Sequence, residues 1–285
     1  MKKRLLACLL SLLFLHAAAA PVPQSPLAAL LAVPAGLDAS VTYTLPAQSM
    51  IALIGEITQT SVDSVTRILP GAPAPRTLYI DSQGGDLRAA LKLANFVREH
   101  DVKVVVVGRC FSACAHYVFS TAPHKAAMPG SLIGIHSKRF GYQDVDKYVE
   151  LNTSPPKEQA RILSKPDARR QFEEMLRLDR EFYAKNGIST RHLDAYAAFD
   201  AARGWNKQAS PAKCRNVDLW ILTRSQLESM GVKGFGAFWQ PASAAEARSS
   251  AAKLGLREDQ VFFGSPEDLA DLCKPTLMER VRALF

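Results

Sequence analysis

The sequence lacks an apolar run that is long enough to cross a membrane. Its longest run, residues 5–15, is shorter than the stretch of about 20 residues that a transmembrane helix needs. The chain also lacks a block of lysine and arginine with interleaved aromatic residues, and its formal net charge of +8 is mild for 285 residues. These absences argue against nucleic-acid binding and against a stable membrane span beyond the first 20 residues.

The first 20 residues have the layout of a secretory signal peptide. Basic residues at positions 2–4 precede the apolar run, and small residues at positions 17–20 offer a cleavage site of the A-x-A kind. A membrane anchor is the alternative, which the short run disfavours. We therefore predict export to the bacterial periplasm or the medium, and a mature chain of about 265 residues that suffices for one large domain.

Cysteine is scarce, and the four cysteines that follow the predicted signal peptide are Cys110, Cys114, Cys214 and Cys273. Their even number fits disulfides in an oxidising compartment, and three pairings remain open. A zinc site is the alternative, but Cys110 and Cys114 lack a matching Cys/His pair at metal-binding spacing. We therefore predict disulfides, with no metal and no cofactor.

Composition divides the chain, which contains no internal repeat. The predicted parts are a signal peptide (1–20), an Ala/Pro-rich arm (21–45), a domain (46–240) with a helical insertion (137–212), and a helical C-terminal extension (241–285). Within the insertion, a polar segment that contains two adjacent prolines predicts a long loop over residues 140–165. A long helix is predicted to begin at Pro166 and to end at Asn186-Gly187.

Strands and helices alternate over the middle of the chain. Apolar runs predict strands at residues 77–80, 102–107 and 132–136, and helices are predicted between them at about 87–97 and 112–120. The second strand is apolar almost throughout, which is typical of a parallel sheet that is covered on both faces. Right-handed crossovers follow from this order, so we predict an α/β fold with a parallel sheet.

Three features that follow the three successive strands contain candidate catalytic groups. Gly84 and Gly85 let the backbone approach a substrate and direct N–H groups into a cleft, although an ordinary turn is the simpler interpretation. Ser112 opens a helix, where the dipole favours a developing anion, although serine is also a common helix cap. His136 carries an imidazole, which can serve as a general base when neutral, although a lone histidine is more often structural. Their coincidence at one sheet edge predicts a nucleophile, a base and oxyanion donors.

The same residues carry a family resemblance. The sequence Ser82-Gln83-Gly84-Gly85, Ser112 after a glycine at 108, and His136 at 24 residues beyond Ser112 resemble the proteolytic subunit of the Clp protease. The Cys-x-Ser-Ala-Cys element resembles the exported Clp-protease-like branch of the crotonase superfamily. This resemblance spans roughly residues 51–231, and it departs from the family at Gln83, where a proline is usual.

The resemblance implies a fold, a reaction and roles for residues. It implies a spiral of ββα units, with Ser112 as nucleophile and His136 as base of an acyl-enzyme mechanism. The amides of Gly85 and Ala113 would form the oxyanion hole, and Gly84 would lie in the substrate-binding part of the cleft. A peptide or protein is the implied substrate. The insertion occupies the position of the Clp handle region, which makes a homo-oligomer an expectation.

The third catalytic residue of the family is an aspartate, and Asp218 lies about one position from the place that the alignment gives it. A carboxylate beside His136 would stabilise the imidazolium that forms during attack. If Asp218 does not serve, a backbone carbonyl or Asp200 is the alternative, or the triad is incomplete.

Two other functions remain open at this stage. A catalytically inactive binding or assembly module in the envelope is one alternative, which the position of Asp218 and the glutamine at position 83 favour. Signal-peptide-peptidase chemistry with a lysine base is the other, and the presence of His136 disfavours it. We predict a serine hydrolase, most simply a peptidase.

Overall fold

The computed structural model describes residues 41–45, 50–71, 74, 76–136, 141–144, 147–150, 155–204 and 210–274, with the backbone alone at 41–45, 50, 141–144, 147–150 and 212. The predicted signal peptide and residues 21–40 of the predicted arm lie outside the described residues. Within the described part of the chain, no helix combines the length and the apolar character that a membrane crossing requires.

Eleven strands are described. They are β1 (Val41–Leu45), β2 (Met50–Ile54), β3 (Thr77–Ser82), β4 (Lys103–Phe111), β5 (His124–Ala127), β6 (Leu132–Ile135), β7 (Gly141–Asp144), β8 (Lys147–Glu150), β9 (Leu219–Ile221), β10 (Phe235–Phe238) and β11 (Val261–Phe262). All except β7 and β8 belong to one sheet, and these two form a separate hairpin. The neighbours in the sheet are parallel except for β1 with β2 and β6 with β9.

The described helices are α1 (Gln59–Ile68), α2 (Leu87–Glu99), α3 (Cys114–Phe119), α4 (Pro156–Leu163), α5 (Pro166–Asn186), α6 (Arg191–Arg203), α7 (Ala212–Arg215), α8 (Arg224–Ser229), α9 (Ala244–Lys253) and α10 (Pro266–Leu272). Their ends follow from local chemistry. The side chain of Asp86 caps α2 by accepting from the amide of Ala89, and Gly187 ends α5 with a left-handed φ of 63°. The predicted α/β fold with a mostly parallel sheet is therefore confirmed.

The long strand β4 branches the sheet. Its first half, Lys103 to Val106, pairs with β5, whereas Arg109 to Phe111 pair with β6. The pairing of β4 with β3 shifts register between these two halves, because Ile80 faces Val106 while Ser82 faces Cys110. Two residues of β3 thus match four of β4, a bulge that changes the direction of the strand just before it ends.

Apolar residues of the strands and of the helices that cover them form one main core. Val104 and Val106 of β4, with Leu93 and Val97 of α2, are fully buried. Burial on this scale stabilises the fold by about 25 cal/mol for each Å² of apolar surface removed from water. The site therefore rests on a closely packed sheet.

The predicted loop over residues 140–165 is wrong in part. Its described residues form the β7–β8 hairpin and helix α4, because Pro156 occupies a first-turn position where its missing N–H costs no hydrogen bond. Strand β5 had no counterpart in the sequence analysis. The predicted helical extension also contributes a strand, since β11 pairs with β9 in the main sheet.

Residues 210–274, here called the C-terminal segment, return to the sheet at three places. Strand β9 pairs with β6, β10 pairs with β5, and β11 pairs with β9. A disulfide joins Cys214 near the start of the segment to Cys273 at its end. The segment is thus attached to the fold by its own strands and is closed on itself by a covalent bond.

Candidate active site

Three strand ends meet at one edge of the sheet. Ser82 of β3 faces Cys110 of β4, and Cys110 faces Ile133 of β6. Because these neighbouring strands are parallel, the residues that follow them emerge at the same edge. The glycine pair, Ser112 and His136 are the residues that follow. The structure therefore brings together the three features that the sequence analysis singled out.

Ser112 occupies a sharp turn between β4 and α3, and we call residues 110–114 the nucleophile turn. Its φ is 50°, in the left-handed region that side chains other than glycine rarely adopt. Its amide donates to the carbonyl of Gly134 at 3.1 Å, and its carbonyl accepts from the amide of His116 at 2.8 Å. Both neighbours thus fix the backbone in a strained conformation, which is common at functional residues.

Gly84 lies directly against this turn. A side chain there would bring its Cβ to 2.8 Å from the Cβ of Ser112 and to 2.9 Å from the amide nitrogen of Ala113, and the φ of Gly84 is 103°. The loop is held by the Ser82 hydroxyl, which accepts from the amide of Gly84 at 3.1 Å. Only glycine therefore fits between this loop and Ser112.

Gly85 and Ala113 present main-chain amides beside Ser112. The residues flanking Gly85 bond to Ile57, since Ile57 donates to the Gly84 carbonyl at 2.7 Å and accepts from the Asp86 amide at 2.9 Å. In such a parallel bridge the amide of the middle residue points away from the partner strand. Within the described residues, the amides of Gly85 and Ala113 donate to no other group. Both amides are therefore available as hydrogen-bond donors, the kind of group that an oxyanion hole requires.

A partly buried ion pair joins β3 to β4 just before residues 82–85, which we call the glycine loop, and the nucleophile turn. The Asp81 carboxylate accepts from the amide of Arg109 at 2.9 Å and from its Nε at 2.7 Å. Gly108 is required beside it, because a Cβ there would lie 2.7 Å from the Asp81 carboxyl carbon. The side chains of Arg109 and Asp81 are only 9% and 22% exposed, so the solvent screens this pair weakly. Asp81 therefore fixes the end of β3 to the bulge of β4.

The nucleophile turn is also closed by a disulfide between Cys110 and Cys114, with the two Cα atoms 5.2 Å apart. Both cysteines are fully buried. Helix α3, which begins at Cys114, is a π-helix, a wide form that occurs frequently at functional sites. The sequence left open three ways to pair the four cysteines. The structure shows the one that joins Cys110 to Cys114 and Cys214 to Cys273.

His136 follows β6 and is half-buried. Its ring lies edge-on to the ring of His116 on α3, with the centroids 6.3 Å apart. His116 is buried, and its Nδ1 lies 3.3 Å from the hydroxyl of Tyr183 on α5. A second histidine and a tyrosine of the insertion thus pack behind the residue predicted to be the base.

A buried carboxylate continues this cluster. The Tyr117 hydroxyl donates to Asp179 of α5 at 2.8 Å, and both side chains are buried. Burial, and the negative charge of Asp179, raise the pKa of Tyr117 and that of Tyr183 well above the usual value. Both tyrosines therefore remain neutral donors, and α5 is held against α3 by polar contacts as well as by apolar ones.

Asp218 precedes β9 and is about one third exposed. Its carboxylate lies 3.7 Å from the guanidinium of Arg203, which also pairs with Asp200. Arg203 is buried and donates to the carbonyl of Val217. Both aspartates that were considered as the third catalytic residue therefore contact the same arginine.

The chain matches the Clp protease family over residues 38–178. It is a Clp-protease-like protein. This matched region includes the glycine loop, Ser112 and His136, and it supports a peptidase of the serine type. Asp200 and Asp218 lie beyond it. No curated protein matched the chain.

Several residues of this Clp-protease-like site were missed by the sequence analysis. Asp81 and Arg109 flank the recognised motifs, so their positions immediately before the glycine loop and the nucleophile turn were a usable signal. His116, Asp179 and Tyr183 gave no such signal, because they meet only when α5 packs on α3, more than 60 residues away in sequence.

Proposed function

We propose that the protein is a serine peptidase of the bacterial envelope. Ser112 is the nucleophile and His136 the general base, and the amides of Gly85 and Ala113 form the oxyanion hole. The observation that carries this proposal is the left-handed turn at Ser112, pressed against Gly84 at the edge from which His136 also emerges. A serine that served only as a helix cap would not need this strained geometry.

The chemistry follows the two-step course of acyl transfer. The Ser112 hydroxyl attacks the peptide carbonyl carbon while His136 takes its proton, and the oxyanion of the tetrahedral intermediate binds the amides of Gly85 and Ala113. His136 then gives the proton to the leaving amine. Water hydrolyses the resulting ester of Ser112 with His136 again as base, which restores the enzyme.

Fluorophosphonate labelling tests the nucleophile. We expect the folded wild-type protein to be labelled, and we expect Ser112→Ala to abolish labelling because the reacting oxygen is gone. His136→Ala should slow it by about 10³-fold or more. Ser225→Ala, which removes an exposed serine of α8, is the matched control and should label at the wild-type rate. A folded wild-type protein that resists labelling would favour the inactive binding module.

Asp218 is our proposed orienter of His136, with Asp200 as the alternative. Ile135 faces Trp220 in the antiparallel pairing of β6 with β9, so Asp218, just before β9, lies near the end of β6 that His136 follows. Arg203 contacts Asp200 as well as Asp218 at this place. Asp218→Asn should lower the labelling rate by at least about tenfold if its carboxylate stabilises the imidazolium. Asp200→Asn serves as the comparison, and the variant that slows labelling without loss of stability identifies the residue.

Export and self-assembly complete the proposal. Two disulfides support an oxidising compartment, and the predicted signal peptide would direct the chain there. Fractionation of cells that express the full chain should recover a product shortened by about 20 residues in the periplasm or medium. Light scattering of that product should detect an assembly larger than one chain. Incubation with a peptide library should identify the bonds that the protein cleaves.

A further inference from the structure

We propose that the disulfide between Cys110 and Cys114 positions Ser112 for attack, so that both cysteines are positioning residues of the site. This inference rests on the proposed function of Ser112. The bond joins the residue two positions before Ser112 to the residue two positions after it. It therefore closes a loop that contains the nucleophile and Ala113, whose amide is a proposed oxyanion donor.

The bond restricts the course of the chain at this point. Four residues of extended chain would separate the two Cα atoms by about 13 Å. The disulfide holds them 5.2 Å apart, so β4 cannot continue straight past Phe111 and must reverse within the nucleophile turn. A left-handed residue is one way to make that reversal, and Ser112 has this conformation with its φ of 50°.

The two main-chain hydrogen bonds of Ser112 lead to different elements, and the disulfide is the covalent link across the turn. The Ser112 amide bonds to Gly134 of β6, whereas the Ser112 carbonyl bonds to His116 of α3. Without the disulfide, relaxation of Ser112 to a right-handed or extended φ would relieve the unfavourable contact of its Cβ with the backbone. Such a relaxation would reorient both the Ser112 hydroxyl and the Ala113 amide.

The burial of Cys110 and Cys114 agrees with a role in fixing the backbone of the nucleophile turn. Both cysteines are fully buried within the main core, and Cys110 faces Ser82 of the glycine loop across β3 and β4. Because both cysteines are shielded from solvent, the disulfide is out of reach of a substrate. It acts on the reaction only through the backbone that it fixes.

The variant Cys110→Ala/Cys114→Ala tests the inference, with Cys214→Ala/Cys273→Ala as the matched control. We expect the first variant to lose at least tenfold in the maximal rate constant of fluorophosphonate acylation. The fluorophosphonate concentration that gives half of the maximal rate should stay within twofold. The control, which lacks a disulfide outside the nucleophile turn, should keep the wild-type acylation rate. Circular dichroism verifies that both variants are folded at the assay temperature.

Reduction and reoxidation separate the bond from the substituted side chains. In the Cys214→Ala/Cys273→Ala background only the disulfide of the nucleophile turn remains among the four described cysteines. Reduction of this protein should lower the acylation rate constant, and reoxidation should restore it in the same sample. An unchanged rate in the reduced, folded protein would overturn the inference, whatever the result for stability.

A crystal structure of Cys110→Ala/Cys114→Ala judges the inference independently of activity. We expect Ser112 to leave the positive-φ region and the Ala113 amide to turn away from that of Gly85. If the turn keeps its φ and the amides their arrangement, the disulfide does not position Ser112. If wild-type protein is not labelled but the turn relaxes in the variant, the proposed function fails while the positioning of the turn is upheld.

Discussion

The nucleophile turn and the C-terminal segment each contain one disulfide, but the two bonds close loops of very different length. Cys110 and Cys114 are separated by 4 positions, whereas Cys214 and Cys273 are separated by 59. On the chain-entropy account, the short loop stabilises the fold by about 2 kcal/mol and the long loop by about 4 kcal/mol. The longer loop therefore contributes more to the stability of the fold. The short disulfide is better explained by the backbone geometry that it fixes.

The surroundings of the two regions differ in the same way. Around the nucleophile turn, contacts such as Asp81 with Arg109 and Gly84 with Ser112 fix individual main-chain atoms. Around the C-terminal segment, contacts attach whole elements to the sheet. We therefore expect damage to the segment, apart from Asp218, to reduce stability with little effect on acylation. Damage to the turn should reduce acylation at a smaller cost in stability.

The largest expected effect on stability comes from the long disulfide. Cys214→Ala/Cys273→Ala should lower the free energy of unfolding by about 4 kcal/mol, because the unfolded chain regains the entropy of the open loop. Urea denaturation monitored by fluorescence measures this loss. Acylation of Ser112 in the folded variant should remain at the wild-type rate, and a parallel fall in acylation would break the distinction between the two regions.

The next largest effect on stability is expected from a buried lysine that packs against the C-terminal segment. Lys125 of β5 donates to the Ser120 carbonyl at 2.9 Å and lies 5.4 Å from the ring centres of Phe119 and of Phe235 of β10. Burial lowers the pKa of Lys125 from 10.5 to about 7. Above pH 7 the unfolded chain therefore binds the extra proton, and stability rises with pH until the unfolded amine also titrates.

This lysine predicts a pH dependence that a methionine should remove. Between pH 7 and pH 9.5 the wild-type free energy of unfolding should gain about 3 kcal/mol relative to Lys125→Met. Urea titrations at intervals of half a pH unit measure the difference between the two proteins. Lys103→Met, which removes an exposed lysine at the start of β4, is the control and should track the wild type. Parallel curves for Lys125→Met and wild type would contradict the lowered pKa.

The ion pair beside the nucleophile turn gives a smaller loss of stability but a kinetic effect. Asp81→Asn leaves the guanidinium of Arg109 with a neutral partner and should cost about 2 kcal/mol. Because Asp81 also holds the amide of Arg109, acylation of Ser112 should slow by about tenfold or more. Asp63→Asn, which breaks the exposed pair with Lys92, is the control and should cost under about 1 kcal/mol without changing acylation.

The smallest effect is expected at the contact between α6 and the C-terminal segment. His192 is buried, and its ring lies 5.2 Å from that of Trp220. Burial, with the charge of Arg191, lowers the pKa of His192, while Glu267 opposes the shift. As the pH falls below about 6.5 the unfolded state takes up the proton first, so stability falls.

His192→Phe should remove this contribution to the acid sensitivity, because phenylalanine binds no proton in either state. Thermal denaturation at pH 7.5, 6.0 and 5.0 compares the two proteins above the range in which ordinary carboxylates titrate. Acylation measured at pH 7.5 should be the same for both. An unchanged acid slope in the phenylalanine variant would assign the sensitivity to another group.

The sheet strands that carry the site were predictable because their apolar runs are continuous. The same holds for α5, where a proline in the first turn and a left-handed glycine after the last turn mark both ends. Strand β5 was missed because its four residues include a histidine and Lys125, and burial of that lysine depends on β10, more than 100 residues later. Helix α4 was missed because adjacent prolines also occur in loops.

The sequence predicted the location of some residues of the candidate site, but it did not predict the contacts of others. Gly84, Ser112 and His136 follow strands, so topology alone predicted that they share an edge. The pairing of the cysteines was open, since spacing does not determine which sulfurs meet in space. The contacts of Asp218 and Asp200 with Arg203 depend on how α6 packs beside β9, which no local pattern of the chain reports.

The hydrogen bond from the Ser112 amide to the Gly134 carbonyl uses main-chain atoms alone, and it links the turn to the strand that carries His136. Mutations that reshape the walls of the cleft can therefore accumulate without separating the two reactive groups. The placement of Ser112 beside the strand that precedes His136 thus tolerates changes of the surrounding side chains.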